Sequence, residues 1–156
     1  MQLPLHLELY YSNILLCVYT VSETGVVDFT YNINTDIPIL TPVHRKLKAD
    51  DIYFLIRSRI FPDNPYTAPY ELQRLGLSYY EPYEILMKTH GIMAGDCYWI
   101  KAANEQINYA MAMEQYMDYY IVTPEQRAEK YKAADENKIE EYAAEAFNGI
   151  EEFLKS

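Results

Sequence analysis

Basic residues are scarce in this chain of 156 residues: thirteen Lys and Arg stand against twenty-three Asp and Glu, a net charge of −10. Neutralising phosphates needs clustered Lys and Arg, so the composition argues against direct nucleic-acid binding and against anionic membrane surfaces. The only basic cluster is His44-Arg45-Lys46-Leu47-Lys48. It is too small for nucleic acid, and a solvated connector is expected there. Cysteine is nearly absent too. Cys17 and Cys97 lie far apart with no CxxC or His-rich spacing around them, so neither a disulfide framework nor a metal site is expected. No GxGxxG or GxxxxGK[ST] loop occurs, and no GxSxG, HExxH, kinase catalytic loop or DFG. No cofactor and no reaction is therefore indicated. The start, Met1-Gln2-Leu3-Pro4-Leu5-His6, shows no basic stretch ahead of an apolar core, and no run reaches membrane-spanning length. A cytoplasmic protein is the expectation. Internal repeats and low-complexity linkers are missing as well.

What is present is apolar and aromatic. Half of the residues are hydrophobic and seventeen are Tyr, enough for one cored domain. Tyr joins a large apolar body to a polar tip, so it suits both core edges and recognition surfaces. Leu3, Leu5, Leu7 and Leu9 alternate with polar residues, the period of a half-buried strand. Ser12-Asn13 suits a tight turn. Ile14 to Val21 is nearly continuously apolar and reads as a strand buried on both faces. Ser22-Glu23-Thr24-Gly25 reads as a hairpin loop, and Val27, Phe29, Tyr31 and Ile33 alternate again. A three-stranded antiparallel meander with one greasy face results, which needs a cover to be stable. Asn34 to Val43 reads as an extended linker.

The cover is expected from residues 50–101. Asp50 is placed to cap a helix to about Arg59, with Ile52, Leu55, Ile56 and Ile60 on one face. Phe61-Pro62-Asp63-Asn64-Pro65 ends it. Thr67 caps a second helix that Gly76 closes. Pro82 opens a third, with Tyr83, Leu86 and Met87 as its stripe, and Gly91 stops it. Cys97-Tyr98-Trp99-Ile100 reads as a strand or an extended docking segment. Beyond it the spacing predicts a helix over 104–121, with Ile107, Ala110, Met111, Met117, Tyr120 and Ile121 near one face. Met111, Met113 and Met117 suit either core packing or an adaptable groove. Thr123-Pro124-Glu125-Gln126 is a capping signal for another helix reaching Leu154. The fold class is thus α+β: a small antiparallel meander (1–103) covered by short helices, then an acidic helical hairpin (104–156). That extension carries −7 of the charge, against −3 in the rest. A solvated face is the ordinary reason for such an imbalance. The hairpin's apolar stripe must pack on the domain, on itself or on a partner, and a homodimer through these helices is one such arrangement.

His90 followed by Asp96 and Cys97 is the one cluster that invites a catalytic reading. A working Cys-His pair needs an activated thiolate and an oriented imidazole, and proximity in sequence supplies neither. His90 reads more simply as a residue favoured at a helix C-terminus.

The order of short strands, a Pro-bearing connector, Ile60-Phe61-Pro62-Asp63-Asn64, Arg74-Leu75-Gly76-Leu77 and Gly95-Asp96 resembles the small N-terminal subdomain of HipA-type toxin kinases, over roughly residues 7–100. It is also similar to small stand-alone HipA-like proteins of Gram-positive bacteria and their mobile elements. The kinase chemistry of that family lies in a larger C-terminal part with no counterpart here. The resemblance therefore implies a non-catalytic module without cofactor. Like the stand-alone subdomain HipS, it would bind and restrain a separate protein, a kinase-like toxin or a repressor in a toxin–antitoxin-like system. Two features depart from the pattern: Asn64 stands where Gly is usual, and the helical tail 104–154 is additional. Acidity and Tyr content support a different role, an anti-defence, anti-CRISPR-type inhibitor occupying a basic surface of a nuclease effector. Under either reading the side chains expected to face the partner are Arg57, Arg59, Asp63, Asn64, Tyr79, Tyr80, Asp96, Trp99, Tyr116, Tyr119 and Tyr120.

Overall fold

A computed structural model describes residues 3–120 together with Glu125. The strands are β1 (Leu5–Tyr11), β2 (Ile14–Val21), β3 (Val27–Tyr31) and β4 (Tyr98–Ala102). The helices are α1 (Ala49–Ser58), α2 (Ala68–Leu75), α3 (Pro82–Thr89) and α4 (Tyr109–Tyr120). The class is α+β, as the alternation and capping signals predict. The expected second helix of the C-terminal hairpin, from Thr123 to Leu154, lies outside the described residues.

The sheet has four strands rather than three, in the order β3-β2-β1-β4, all antiparallel. The Cys97–Ile100 segment is the missing strand. Shifted by one residue, it pairs with β1, Leu9 facing Ile100 and Tyr10 facing Trp99. β1 is thereby an inner strand, and Leu5, Leu7 and Leu9 are each no more than 2% exposed. Complete burial of one such side chain contributes about 2 kcal/mol.

β2 is buried without interruption only from Ile14 to Cys17. The register slips there, Leu9 pairing with Cys17 and Tyr10 with Leu15. The extra residue is a β-bulge at Leu16, which re-aims the side chains next to it. Asn32 serves this bulge: its backbone N–H donates to Leu16 O at 2.7 Å and its side-chain amide to Leu15 O at 3.0 Å. Because Asn32 turns inward, β3 ends at Tyr31, and Ile33 is 77% exposed instead of continuing the strand.

One face of the sheet is covered by α1 and α3, with Ile52, Leu55, Ile56, Ile60, Ile85 and Leu86 in the same core as the β1 leucines. The α1 stripe is the expected one. The α3 stripe centres on Ile85, Leu86 and Thr89, with Tyr83 and Met87 at its margin. α1 starts two residues earlier than Asp50 would place it. Lys48 is the cap residue, and the Asp51 carboxylate accepts from its N–H at 2.8 Å while gripping Arg45 at 2.6 and 2.9 Å. Thr67 precedes α2 without a side-chain capping bond. Gly76, at φ 71°, closes α2 in the left-handed conformation.

A second, smaller core holds Trp99, Cys97, Ile92, Tyr109, Met113 and Met117. α4 supplies half of it. This helix begins at Tyr109, later than expected, because Asn108 caps it: Asn108 Oδ1 accepts from Met111 N–H at 2.9 Å. Asn13 Oδ1, in the β1–β2 turn, accepts from Tyr109 N–H at 3.1 Å. The buried face is correspondingly rotated. Tyr109, Ala112, Met113 and Met117 point inward, while Ala110 and Met111 are exposed. Met113 and Met117 are core residues, so the three methionines form no groove together.

Candidate functional site

The residues expected to contact a partner divide into structural and accessible sets. Arg59 and Trp99 are buried, 6% and 1% exposed. Arg59 caps the end of α1 and grips Asp96 through two hydrogen bonds of 2.8 Å. Two of its three remaining N–H donors reach Gly91 O at 2.9 Å and Tyr98 O at 3.0 Å. That bidentate geometry on a carboxylate is the strong form of an ion pair. Both residues are therefore spent on joining α1 to the α3–β4 connection. Trp99 stacks on Tyr10 with ring centroids 4.9 Å apart, and its indole N–H donates to Ser12 O.

Arg57, Asp63, Asn64 and Tyr79 are exposed. Asn64 has not taken the left-handed conformation that a Gly-replacing Asn invites. Its Oδ1 accepts from Tyr66 N–H at 2.8 Å, and its carbonyl accepts from Ala68 N–H at 2.8 Å to start α2. Tyr80 is half-buried, and its hydroxyl donates to Phe61 O at 2.6 Å. Tyr116, Tyr119 and Tyr120 are half-buried on α4, with the rings of Tyr116 and Tyr120 4.8 Å apart.

His90 and Cys97 do not assemble into a catalytic pair. The His90 Nε2 lies 2.9 Å from Glu105 Oε2, and Nδ1 has no hydrogen-bond partner among the described residues. The Cys97 thiol is buried beside the Tyr109 hydroxyl. Burial, with the neighbouring thiol and Asp96 next, pushes that hydroxyl's pKa well above the usual phenol range. His90 itself occupies the left-handed position after α3, φ 54°, one residue before the expected stop at Gly91. Glu105 is held below the ordinary carboxylate range. Burial opposes this, but hydrogen bonds from His90 and the Ala102 N–H, with the charges of His90 and Lys101, outweigh it. Among the described residues no group of three or more His, Cys, Asp or Glu could hold a metal ion.

Of the residues expected to contact a partner, Tyr116, Tyr120 and the buried Arg59 line a pocket of about 350 Å³, and the others lie outside it. Phe61 and Pro62 of the α1–α2 connection form one side, Met93 and Ala94 of the α3–β4 connection another, and Tyr116 and Tyr120 a third. Glu71 of α2 completes it. Tyr120 hydrogen-bonds Glu71. Burial, then the Glu71 charge and that bond, raise the phenol's pKa strongly. Glu71 Oε2 is buried with no hydrogen-bond partner among the described residues. In the sequence Glu71 is an acid near the start of a helix, and Phe61 a helix breaker. Nothing local links them to Tyr116 and Tyr120 more than forty residues away. A second cavity, of about 590 Å³, is lined by Pro4, Leu5, Tyr79, Glu81, Tyr83 and Glu84.

No family model, no curated protein and no solved structure matches this chain. Among the described residues no helix is long and apolar enough to cross a membrane.

Proposed function

We propose that the chain is a non-catalytic interaction module of the kind formed by the N-terminal HipA subdomain and HipS, which binds and restrains a kinase-like toxin. The carrying observation is the aromatic surface of the helical layer. Phe54, Tyr66, Tyr70 and Tyr79 are 74, 84, 71 and 61% exposed. Large aromatic side chains left in water are what a protein contact uses for anchors. The resemblance supplies the kind of partner, and the ionisable groups of the His90 and Arg59 clusters have structural employment. The test is to mix the chain with a kinase-like protein encoded beside its gene. The expected result is a stoichiometric complex with reduced phosphoryl transfer, weakened by the double change Phe54→Ala and Tyr70→Ala. Absence of a complex at micromolar concentration, with phosphoryl transfer unchanged, would refute the reading.

A second reading rests on the charge of −10: an anti-defence inhibitor that occupies the basic nucleic-acid channel of a nuclease effector. Its mark is an affinity for the effector that falls steeply as salt rises. Salt-insensitive binding would remove it.

A further inference from the structure

We propose that the pocket between α2, α4 and the two connections receives an arginine side chain from a protein partner, with Glu71 Oε2 as its counter-charge. The inference rests on the reading of the chain as a protein-interaction module and adds the chemistry of the contact. A buried carboxylate oxygen without a donor is costly to leave unmatched. Glu71 Oε2 is such an atom, and no described residue forms an ion pair with Glu71. The other cation in the wall, Arg59, is neutralised by Asp96 and has four of its five N–H donors engaged. The pocket thus lacks one positive donor.

The remaining walls suit a guanidinium better than an ammonium. Phe61, Tyr116 and Tyr120 present aromatic rings, on which a planar, weakly hydrated guanidinium stacks, and the flexible Met93 packs against its methylenes. Tyr120 already attracts such a group from outside: the Arg74 guanidinium carbon lies 5.9 Å from its ring centroid. The net charge of −10 favours a basic partner and excludes an acidic one as the natural occupant.

The test uses the full chain with labelled methionine methyls and blocked arginine (N-acetyl-arginine amide) as probe, followed by NMR. The expected result is a saturable shift of the Met93 methyl. Glu71→Gln, which keeps the shape, weakens it by roughly tenfold or more, as loss of one charge-assisted hydrogen bond requires. The neutral analogue, blocked citrulline, gives no saturable shift. Equal responses to arginine and citrulline, a stronger response to blocked lysine, an unchanged response in Glu71→Gln, or no saturable shift at millimolar probe would each overturn the proposal. Phe61→Leu provides a second variant that keeps the volume apolar while removing a ring, and it too weakens the response. If the probe fails to bind while the chain still restrains its kinase partner, the pocket assignment fails and the interaction module stands.

Discussion

The guanidinium of Arg59 and the carboxylate of Asp96, thirty-seven residues apart in the chain, meet through two parallel 2.8 Å hydrogen bonds. Their exposures are unequal: the Arg59 side chain is 6% accessible and that of Asp96 31%. Removing the acid leaves a buried cation without its partner, while removing the base leaves an anion that water can reach. Asp96→Ala is therefore expected to cost about 3–5 kcal/mol, and Arg59→Met distinctly less. Urea unfolding of the two variants checks the order, and a larger loss for Arg59→Met would contradict it.

Gly91 sits under this ion pair at φ 65°. A Cβ there would lie 3.1 Å from Arg59 Cβ and 3.3 Å from Leu86 Cδ1. Arg59 Cβ is the fixed root of its side chain and Leu86 is fully buried, and the left-handed backbone itself costs a non-glycine residue about 1–2 kcal/mol. Gly91→Ala should lose at least that much, whereas Gly95→Ala, with nothing within 4 Å, should be close to neutral. Thermal melting of both proteins separates the two outcomes.

Ser12 offers a change in the opposite direction. It is a non-glycine residue at φ 53°, fully buried, with its hydroxyl unpaired among the described residues. Ser12→Gly relieves the backbone and removes the orphaned group. A gain of about 1 kcal/mol is expected from the difference between that relief and the added freedom of the unfolded chain. Chemical denaturation showing a loss would mean that the hydroxyl has a role the geometry does not reveal.

The Glu105 carboxyl, lowered in the folded protein, makes stability depend on acid. Its contribution is complete above the ordinary carboxylate range and disappears as pH falls through the folded value, so the melting temperature should drop below about pH 4.5. Glu105→Gln should flatten the upper part of that decline. Asp51, held down to about 2 by its hydrogen bonds to Arg45 and Lys48, extends the remainder to lower pH. A pH profile identical in wild type and Glu105→Gln would rule the assignment out.

Both cysteines should be silent toward thiol reagents in the folded state. They are buried, and burial pushes the Cys17 thiol up to about 12 despite an opposing hydrogen bond from Tyr19. Only the thiolate reacts at an appreciable rate. Ellman's reagent at pH 8 should detect no thiol until denaturant is added, and then both.

Features set by neighbouring residues were legible in the sequence, and features set across long separations were not. The alternation in β1, the α1 stripe and the Gly76 closure depend on a few adjacent positions, and all three are found. The membership of β4 in the sheet and the role of Arg59 depend on β1 and Asp96, neither of which is near in sequence. Arg59 and Trp99 were read as surface anchors because Arg and aromatic residues commonly serve as such. Their partners turn them inward instead. For the candidate pocket, Tyr116 and Tyr120 were legible as contact residues. Glu71 was not, because the unmatched state of Oε2 exists only once α4 has closed over α2.

β1 precedes the other described strands of the sheet and is one of its two inner strands, yet its edge toward β4 stays unpaired until residues 98–102 have been translated. During that interval a row of leucines and a line of open amides face the surroundings together. Such an edge recruits other strands readily. The nascent protein thus passes through a sticky half-finished sheet, and whatever slows translation between Tyr31 and Tyr98 prolongs its exposure.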